Sequence, residues 1–286
     1  QHLAKGNIAM SKAMPTTTSR TSQPAPGQPP TRKPPRVRPV PAVSRAIAIL
    51  RLLGGSPEPM GMKAIASELA LVPSTALHIL RVRVEEELIK VDAASKRYSL
   101  ASGMISLARS ALAGSDFATL AQPVLDRIAK KWGVSCMGVE ITPASHMVVL
   151  ALSRSQNPFR LHVDVGSRFP VLISATGRLV AAFGGENWPQ LEKKFKTLRW
   201  DKPMSLAAWK NEVKRARATG YAVDRDSYIS GVTLVGVPLL NSSGKISHTL
   251  VAAGLSDQLD ASAVYKLVGE LRDEADAIAA LLTPLR

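Results

Sequence analysis

Four side chains at the spacing i, i+3, i+4 and i+7, Ser74, Leu77, His78 and Arg81, combine a hydroxyl, an imidazole and a guanidinium with one apolar contact. That spacing puts them on one face of a helix. Hydrogen-bonding groups gathered near a helix N-terminus suit the base edges of a DNA major groove. Lys96 and Arg97 are expected at the tip of a polar turn, Asp92-Ala93-Ala94-Ser95-Lys96-Arg97, where they offer two cations to phosphate oxygens. Farther on, Ser174-Ala175-Thr176-Gly177 precedes an apolar helical run at residues 179–183. A serine cap, small residues and free backbone N–H groups make this either a carboxylate site or an ordinary capped helix. A third set, Cys136 with His146 or His162 and Asp164, has the residue types of a thiol–imidazole pair oriented by a carboxylate. Yet Cys136 falls in an apolar strand pattern, where cysteine packs as a small hydrophobe. His162 and Asp164 share their strand face with Arg160, as a solvated face would. There is no glycine-rich phosphate loop, nucleophile elbow or paired set of zinc ligands. No catalytic residue, cofactor or metal is expected, and a Cys/His hydrolase stands as an alternative.

Periodicity indicates the elements that hold these residues. Ser44 is placed to cap a helix that carries Ala46, Ile47, Ile49, Leu50 and Leu53 and ends at Gly54-Gly55. A second helix fits residues 63–70, with Ile65, Ala66 and Leu69 on one side. Pro73, whose missing N–H is harmless at a first helical position, begins a third. There Ala76, Ile79, Leu80, Val84 and Leu88 form the packing side, opposite the polar face. Two short helices in close succession after a longer one make a helix-turn-helix. Leu88-Ile89-Lys90-Val91 and Tyr98-Ser99-Leu100 flank the basic turn as a β-hairpin wing.

Residues 102–122 are helix-compatible, with a break at Gly114-Ser115, and 116–132 continue as helix, interrupted near Pro123. Strand patterns follow at 136–142, 147–153 and 159–165, then a helical middle section. Strands at 233–240 and 246–254 flank the turn Asn241-Ser242-Ser243-Gly244, and 261–282 form a last amphipathic helix.

Composition bounds the class. The 286 residues suit about two domains. One cysteine excludes an internal disulfide framework and multi-cysteine metal sites. No apolar run approaches the roughly 18 residues of a membrane span, so a soluble, cytoplasmic protein without membrane partners is expected. The net charge of +15 points to an anionic partner, but +7 of it lies in residues 1–42, which also hold 9 of the 20 prolines. That stretch reads as disordered. It is a solubilising tail, or in part a stretch ahead of a true start at Met10 or Met14, or else a basic arm along DNA phosphates. The expected organisation is an arm at 1–42, a winged helix-turn-helix at 43–101, a linker helix at 102–121 and a ligand domain at 122–286.

The chain resembles the IclR family of bacterial transcriptional regulators from about residue 43 to 282. The resemblance rests on Ile65-Ala66-Ser67-Glu68-Leu69-Ala70, Pro73-Ser74-Thr75-Ala76-Leu77-His78-Ile79-Leu80 and Lys96-Arg97-Tyr98-Ser99-Leu100. Val165-Gly166-Ser167-Arg168-Phe169-Pro170, Gly220-Tyr221-Ala222-Val223-Asp224 and Gly231-Val232, followed by a strand pair ending at Gly254, complete it. It implies an α+β chain: an N-terminal winged helix-turn-helix joined by a linker helix to a GAF-like α/β effector-binding domain. It also implies a dimer or dimer of dimers on a pseudo-palindromic double-stranded operator. With Thr75 inside the matching segment, the DNA-contacting set is Ser74, Thr75, Leu77, His78, Arg81, Lys96 and Arg97. The effector set carried over is Ala175, Thr176, Asp224, Leu234, Val251 and Ala253. Members that bind very small keto acids carry more polar residues at the last three positions. The expected effector is therefore a carboxylate with an apolar or aromatic body, its carboxylate at the N–H groups near Ala175 and Thr176. Asp224 would accept a hydrogen bond from a ligand hydroxyl. A small-molecule binder whose helix-turn-helix serves protein contacts is the competing reading. Two residues depart from the family pattern. Arg83 stands at an apolar position and is expected to snorkel outward or pair with Glu86 or Glu87. Glu87 replaces the glycine that ends the helix.

Overall fold

The computed structural model describes residues 40–143, 146–155, 161 and 163–282. Residues 1–39 of the basic arm, and Phe159, Arg160 and His162, lie outside the described residues. Helix α1 (Pro41–Gly55) opens with proline in its first turn. Proline's preset φ starts the helix ahead of Ser44. Ser44 is therefore not a cap; its hydroxyl donates to the Val40 carbonyl inside the first turn at 3.4 Å. Strand β1 (Met60–Gly61) leads into α2 (Met62–Glu68) and α3 (Pro73–Glu85). Then come β2 (Ile89–Val91) and β3 (Arg97–Leu100), which pairs with both β2 and β1. Ile49, Leu53, Ile65, Leu80 and Ile89 form the small core of this module.

The end of α3 is closed by a double backbone bond. Leu88 N donates to Arg83 O at 3.0 Å and Glu87 N to Val84 O at 3.1 Å. This arrangement needs a left-handed residue at its turn, and Glu87 supplies it at φ +56°. The Glu87 carbonyl then accepts from Gly103 N at 3.2 Å, so the same turn seats the start of the next helix. Arg83 does not pair with Glu86 or Glu87 among the described residues. It is half-buried, and its Nε is enclosed with no hydrogen-bond partner. The turn directs the glutamates outward, where they stay exposed.

Helix α4 (Gly103–Ala113) ends at Gly114, and Ser115 caps α5 (Asp116–Trp132) by accepting from Ala118 N at 3.2 Å. Contrary to expectation, α5 runs unbroken through Pro123. Buried Phe117, Ala121, Leu125, Ile128 and Ala129 hold it on the sheet against the lost N–H bond. Next to the proline, the Gln122 amide gives to Leu152 O at 3.1 Å and accepts from Leu152 N at 3.3 Å, gluing α5 to a strand.

The sheet comprises β4 (Ser135–Thr142), β5 (His146–Ser153), β6 (Arg168–Pro170), β7 (Ala222–Arg225), β8 (Val232–Leu240) and β9 (Ile246–Leu255), in the antiparallel order β6-β5-β4-β9-β8-β7. The strand expected over 159–165 is absent where that segment is described. A turn closes there, with Ser167 N on Asp164 O at 2.9 Å and Gly166 N on Val149 O at 2.8 Å, which leaves 168–170 to pair with β5. Helices α6 (Ser174–Phe183), α7 (Trp188–Phe195) and α8 (Leu206–Thr219) lie between β6 and β7, and α9 (Ala261–Leu282) follows β9. Strand alternation divides the core. Cys136, Leu250 and Ala252 meet α5 and α9, whereas Met137, Val139 and Val251 face the side of α6, α7 and α8. Among the described residues no single helix is long and apolar enough to cross a membrane.

Replacing Glu87 with glycine removes the left-handed penalty at the α3 turn. Glu87→Gly should raise unfolding stability by about 1 kcal/mol, read as a higher urea midpoint at constant slope. An unchanged midpoint would show that the turn carries no strain. His248 of β9 stacks on Phe117 of α5 with ring centroids 4.1 Å apart, and burial holds its pKa down, to about 4. The unfolded chain, at the ordinary 6.5, takes up that proton first as pH falls. The stability contributed by neutral His248 is complete above about pH 6.5 and lost progressively toward pH 4. Melting temperature across this window should fall for the wild type and flatten in His248→Gln; parallel slopes would place the acid sensitivity elsewhere.

Candidate functional site

Two sites emerge, one on each module. On α3, Ala76 and Leu80 are buried against the small core, which turns Ser74, His78 and Arg81 out to solvent. Thr75 and Leu77 are half-buried beside them. The first intrahelical bond runs from Ala76 N to Val72 O at 3.1 Å, so the N–H groups of Ser74 and Thr75 are free at the tip. Such a tip favours an anion such as phosphate. Val72, just before the helix, is 65% exposed and adds an apolar contact at the same end that sequence patterning overlooked.

The wing is shaped by Asp92. Its Oδ1 accepts from Ser95 N at 2.7 Å and Ser95 Oγ at 2.6 Å, and these bonds hold its pKa below the usual carboxylate range. Lys96 takes a left-handed φ of +54° and stays exposed. Arg97 is not at the tip of the turn but opens β3, and its Nη1 donates to Pro59 O at 3.1 Å, tying the wing to β1.

The second site is a cavity of about 200 Å³ beneath α6. Met137, Val139, Val149, Leu234 and Val251 line it from the sheet, with Phe169, Leu161 and Ile229 around them. The polar side chains on its wall are Ser174, Thr176 and Tyr228. Burial, then Asp201 and Asp224, raise the Tyr228 pKa, so its phenol keeps the proton. Ser174 does not cap the helix; it is the first helical residue, in a left-handed conformation at φ +57°. Gly177 N makes the first helical bond, to Ile173 O at 2.8 Å, leaving the N–H groups of residues 174–176 outside the ladder. Glycine is required at 177, because a Cβ there would lie 2.0 Å from the Leu172 carbonyl.

Of the carried-over effector residues, Thr176, Leu234 and Val251 meet at this cavity. Ala175 is fully buried beside Gly236, and Ala253, across the ladder from Leu234, packs into the core rather than the wall. Asp224 is also off the wall. It is wholly buried, paired through Oδ2 with Arg178 Nη1 at 2.7 Å, and its Oδ1 accepts from Ser227 N and Tyr228 N at 3.1 Å each. Arg178 and most of the lining were missed by sequence reasoning. Arg178 follows the Thr176-Gly177 pair directly, so a charge inside an apolar helix was the available signal.

The Cys136 thiol and the His146 imidazole are not brought together, and His162 lies outside the described residues. In the β4–β5 ladder Cys136 pairs with Ser153 and His146 with Thr142, which puts them roughly 20 Å apart along the strands. Burial pushes the Cys136 thiol up to about 12, and Asp164 is exposed and ion-paired with Arg154.

Comparison with known proteins agrees with this division. Residues 42–93 match the IclR helix-turn-helix domain, and residues 109–280 match the bacterial transcriptional regulator IclR C-terminal domain. The chain is 27% identical over 244 residues to the glycerol operon regulatory protein of Streptomyces griseus, covering 84% of this chain and 96% of that one. Its fold matches an IclR transcriptional regulator from Alicyclobacillus acidocaldarius with a TM-score of 0.75 at 23% identity, covering 85% and 99% of the two chains. An IclR homologue from Microbacterium hydrocarbonoxydans, solved in complex with 4-hydroxybenzoate, matches with a TM-score of 0.67 at 20% identity over 84% and 98%. The chain belongs to the IclR family of bacterial transcriptional regulators, with a helix-turn-helix DNA-binding domain ahead of an effector-binding domain.

Proposed function

We propose that this regulator reads a pseudo-palindromic operator with α3 and the wing, and that a small aromatic or similarly apolar monocarboxylate in the α6 cavity modulates its grip. One observation carries the effector class: an apolar chamber with the free N–H groups of a helix start among its walls. A cavity of about 150 Å³ is enough for benzene, so about 200 Å³ suits a single ring with a small substituent. A two- or three-carbon acid would leave most of the apolar wall without contacts. The relative that holds 4-hydroxybenzoate supports the same ligand class.

On DNA, Ser74, His78 and Arg81 would meet base edges, with Thr75 and Leu77 beside them, and Lys96 and Arg97 would meet phosphate. A single winged helix makes too few contacts for specific affinity, so two or four copies act on paired half-sites in the cytoplasm. Exposed Ile105 and Leu107 on α4 support this assembly as apolar area for a second copy to cover. Effector binding shifts the population between arrangements that fit and do not fit the half-site spacing.

Benzoate and 4-hydroxybenzoate should raise the melting temperature, with stabilisation of about 2.7 kcal/mol at one hundred times the dissociation constant. Stabilisation by pyruvate or glyoxylate but by neither aromatic acid would sink the proposed ligand class. On the protein's own upstream DNA, Arg81→Ala should cost about 1–3 kcal/mol and relax base preference. Lys96→Ala should weaken all sequences alike and lower the salt slope by about one. Fluorescence anisotropy across a salt series measures both effects. Equal losses for Arg81→Ala on specific and random DNA would refute its base-reading role.

A further inference from the structure

Arg178 is a cation almost wholly removed from water, 1% exposed, on a helix whose other buried residues are apolar or small. Its Nε donates to Glu212 of α8 and its Nη1 to Asp224 of β7, while the guanidinium lies 5.8 Å from the Trp200 ring centroid. Asp224 has no exposure at all. Its second oxygen takes the N–H groups of Ser227 and Tyr228.

Stability gives little reason for such a pair. Desolvating two charges costs several kcal/mol, and apolar replacements for buried pairs are often neutral or stabilising. Geometry gives a definite reason. Arg178 is one turn along α6 from Ser174 and two residues from Thr176, both on the cavity wall. Asp224 holds the backbone at Tyr228, which with Ile229 contributes another part of that wall. The pair therefore ties the anion-favouring helix start to the Tyr228–Ile229 segment by charge-assisted bonds of fixed direction.

We propose that Arg178 and Asp224 are positioning residues of the effector cavity, setting the distance between these wall segments, and that Asp224 makes no contact with the ligand. The proposal rests on the reading of the cavity as an effector site. It also bears on the selectivity of that site: with both oxygens of Asp224 engaged within the chain, the described residues of the cavity wall offer no free charge for a second ionic group. A monocarboxylate with an uncharged body fits, and a dicarboxylate or amino acid does not.

The test uses the full chain and the double variant Arg178→Met with Asp224→Asn, which removes the pair without leaving a charge alone at position 224, leaves half-buried Glu212 to solvent, and retains an acceptor for the Ser227 and Tyr228 N–H groups. Arg178→Lys, which keeps the charge but not the fork, serves if the double variant fails to fold. Binding of benzoate and 4-hydroxybenzoate is measured by calorimetry. Either variant should melt near the wild type yet bind both acids about tenfold more weakly, at an unchanged ratio between them. Unchanged affinity for both in a folded variant overturns the proposal. A loss confined to 4-hydroxybenzoate in the double variant also overturns it, because it would put Asp224 on the ligand hydroxyl. If the wild type binds neither acid, the cavity reading is what fails. Positioning is then decided without ligand by amide hydrogen exchange at Ser227 and Tyr228. Faster exchange in the variant supports the tie, and unchanged exchange overturns it.

Discussion

The contact between Leu172 and Gly177 is the constraint on which the effector half depends. A Cβ at position 177 would come within 2.0 Å of the Leu172 carbonyl, so the chain can fold back from 171–173 into α6 only where a side chain is missing. That approach forces Ser174 into a left-handed conformation and leaves the N–H groups of 174–176 outside the helical ladder. It also fixes where Arg178 enters the interior, and hence where Asp224 and the Tyr228 segment can be held. A single close approach thus sets both the anion-favouring end of the cavity and its opposing wall.

The two modules are joined by turns that serve both of their neighbours. The left-handed Glu87 closes α3 and presents its carbonyl to Gly103 at the head of α4. The Ser115 cap separates α4 from α5, and Phe117, in the first turn of α5, packs against Gly138, where a Cβ would approach its ring to 3.1 Å. Met137 and Val139, on either side of Gly138, line the cavity from the other face of the same strand. A β-bulge between Gly138 and Val139 marks this stretch as the irregular part of the β4–β5 ladder. The cavity lining and the seat of α5 therefore share one strand segment.

Much of the DNA-reading module was legible in the sequence because its signals are local. Pro73 opens α3, the period of Ala76 and Leu80 sets the buried side, and the remaining positions turn outward by geometry. Arg97 was misplaced at the wing tip because its bond to Pro59 spans 38 residues, beyond any local pattern. Pro123 was read as an interruption because propensity registers the lost N–H but not the burial of Phe117, Leu125 and Ile128 that outweighs it. The strand expected at 159–165 failed for a similar reason: alternation there is real, but a turn at 164–167 leaves 168–170 to pair with β5.

The sequence by itself determined the helices and hairpin of the first module and which residues of α3 turn outward, since helical period, proline placement and turn chemistry act over a few residues. Tertiary structure alone decided the cavity. Its walls come from β4, β5, β8, β9, α6 and the segments around Phe169 and Tyr228, brought together by sheet register and helix packing rather than by proximity in the chain. It also decided the partners of Asp224. A carboxylate near a site looks like a ligand contact until its partners are known, and Arg178, 46 residues away, occupies one oxygen while two backbone N–H groups occupy the other. A buried charge must be paired, and only the folded chain shows with what.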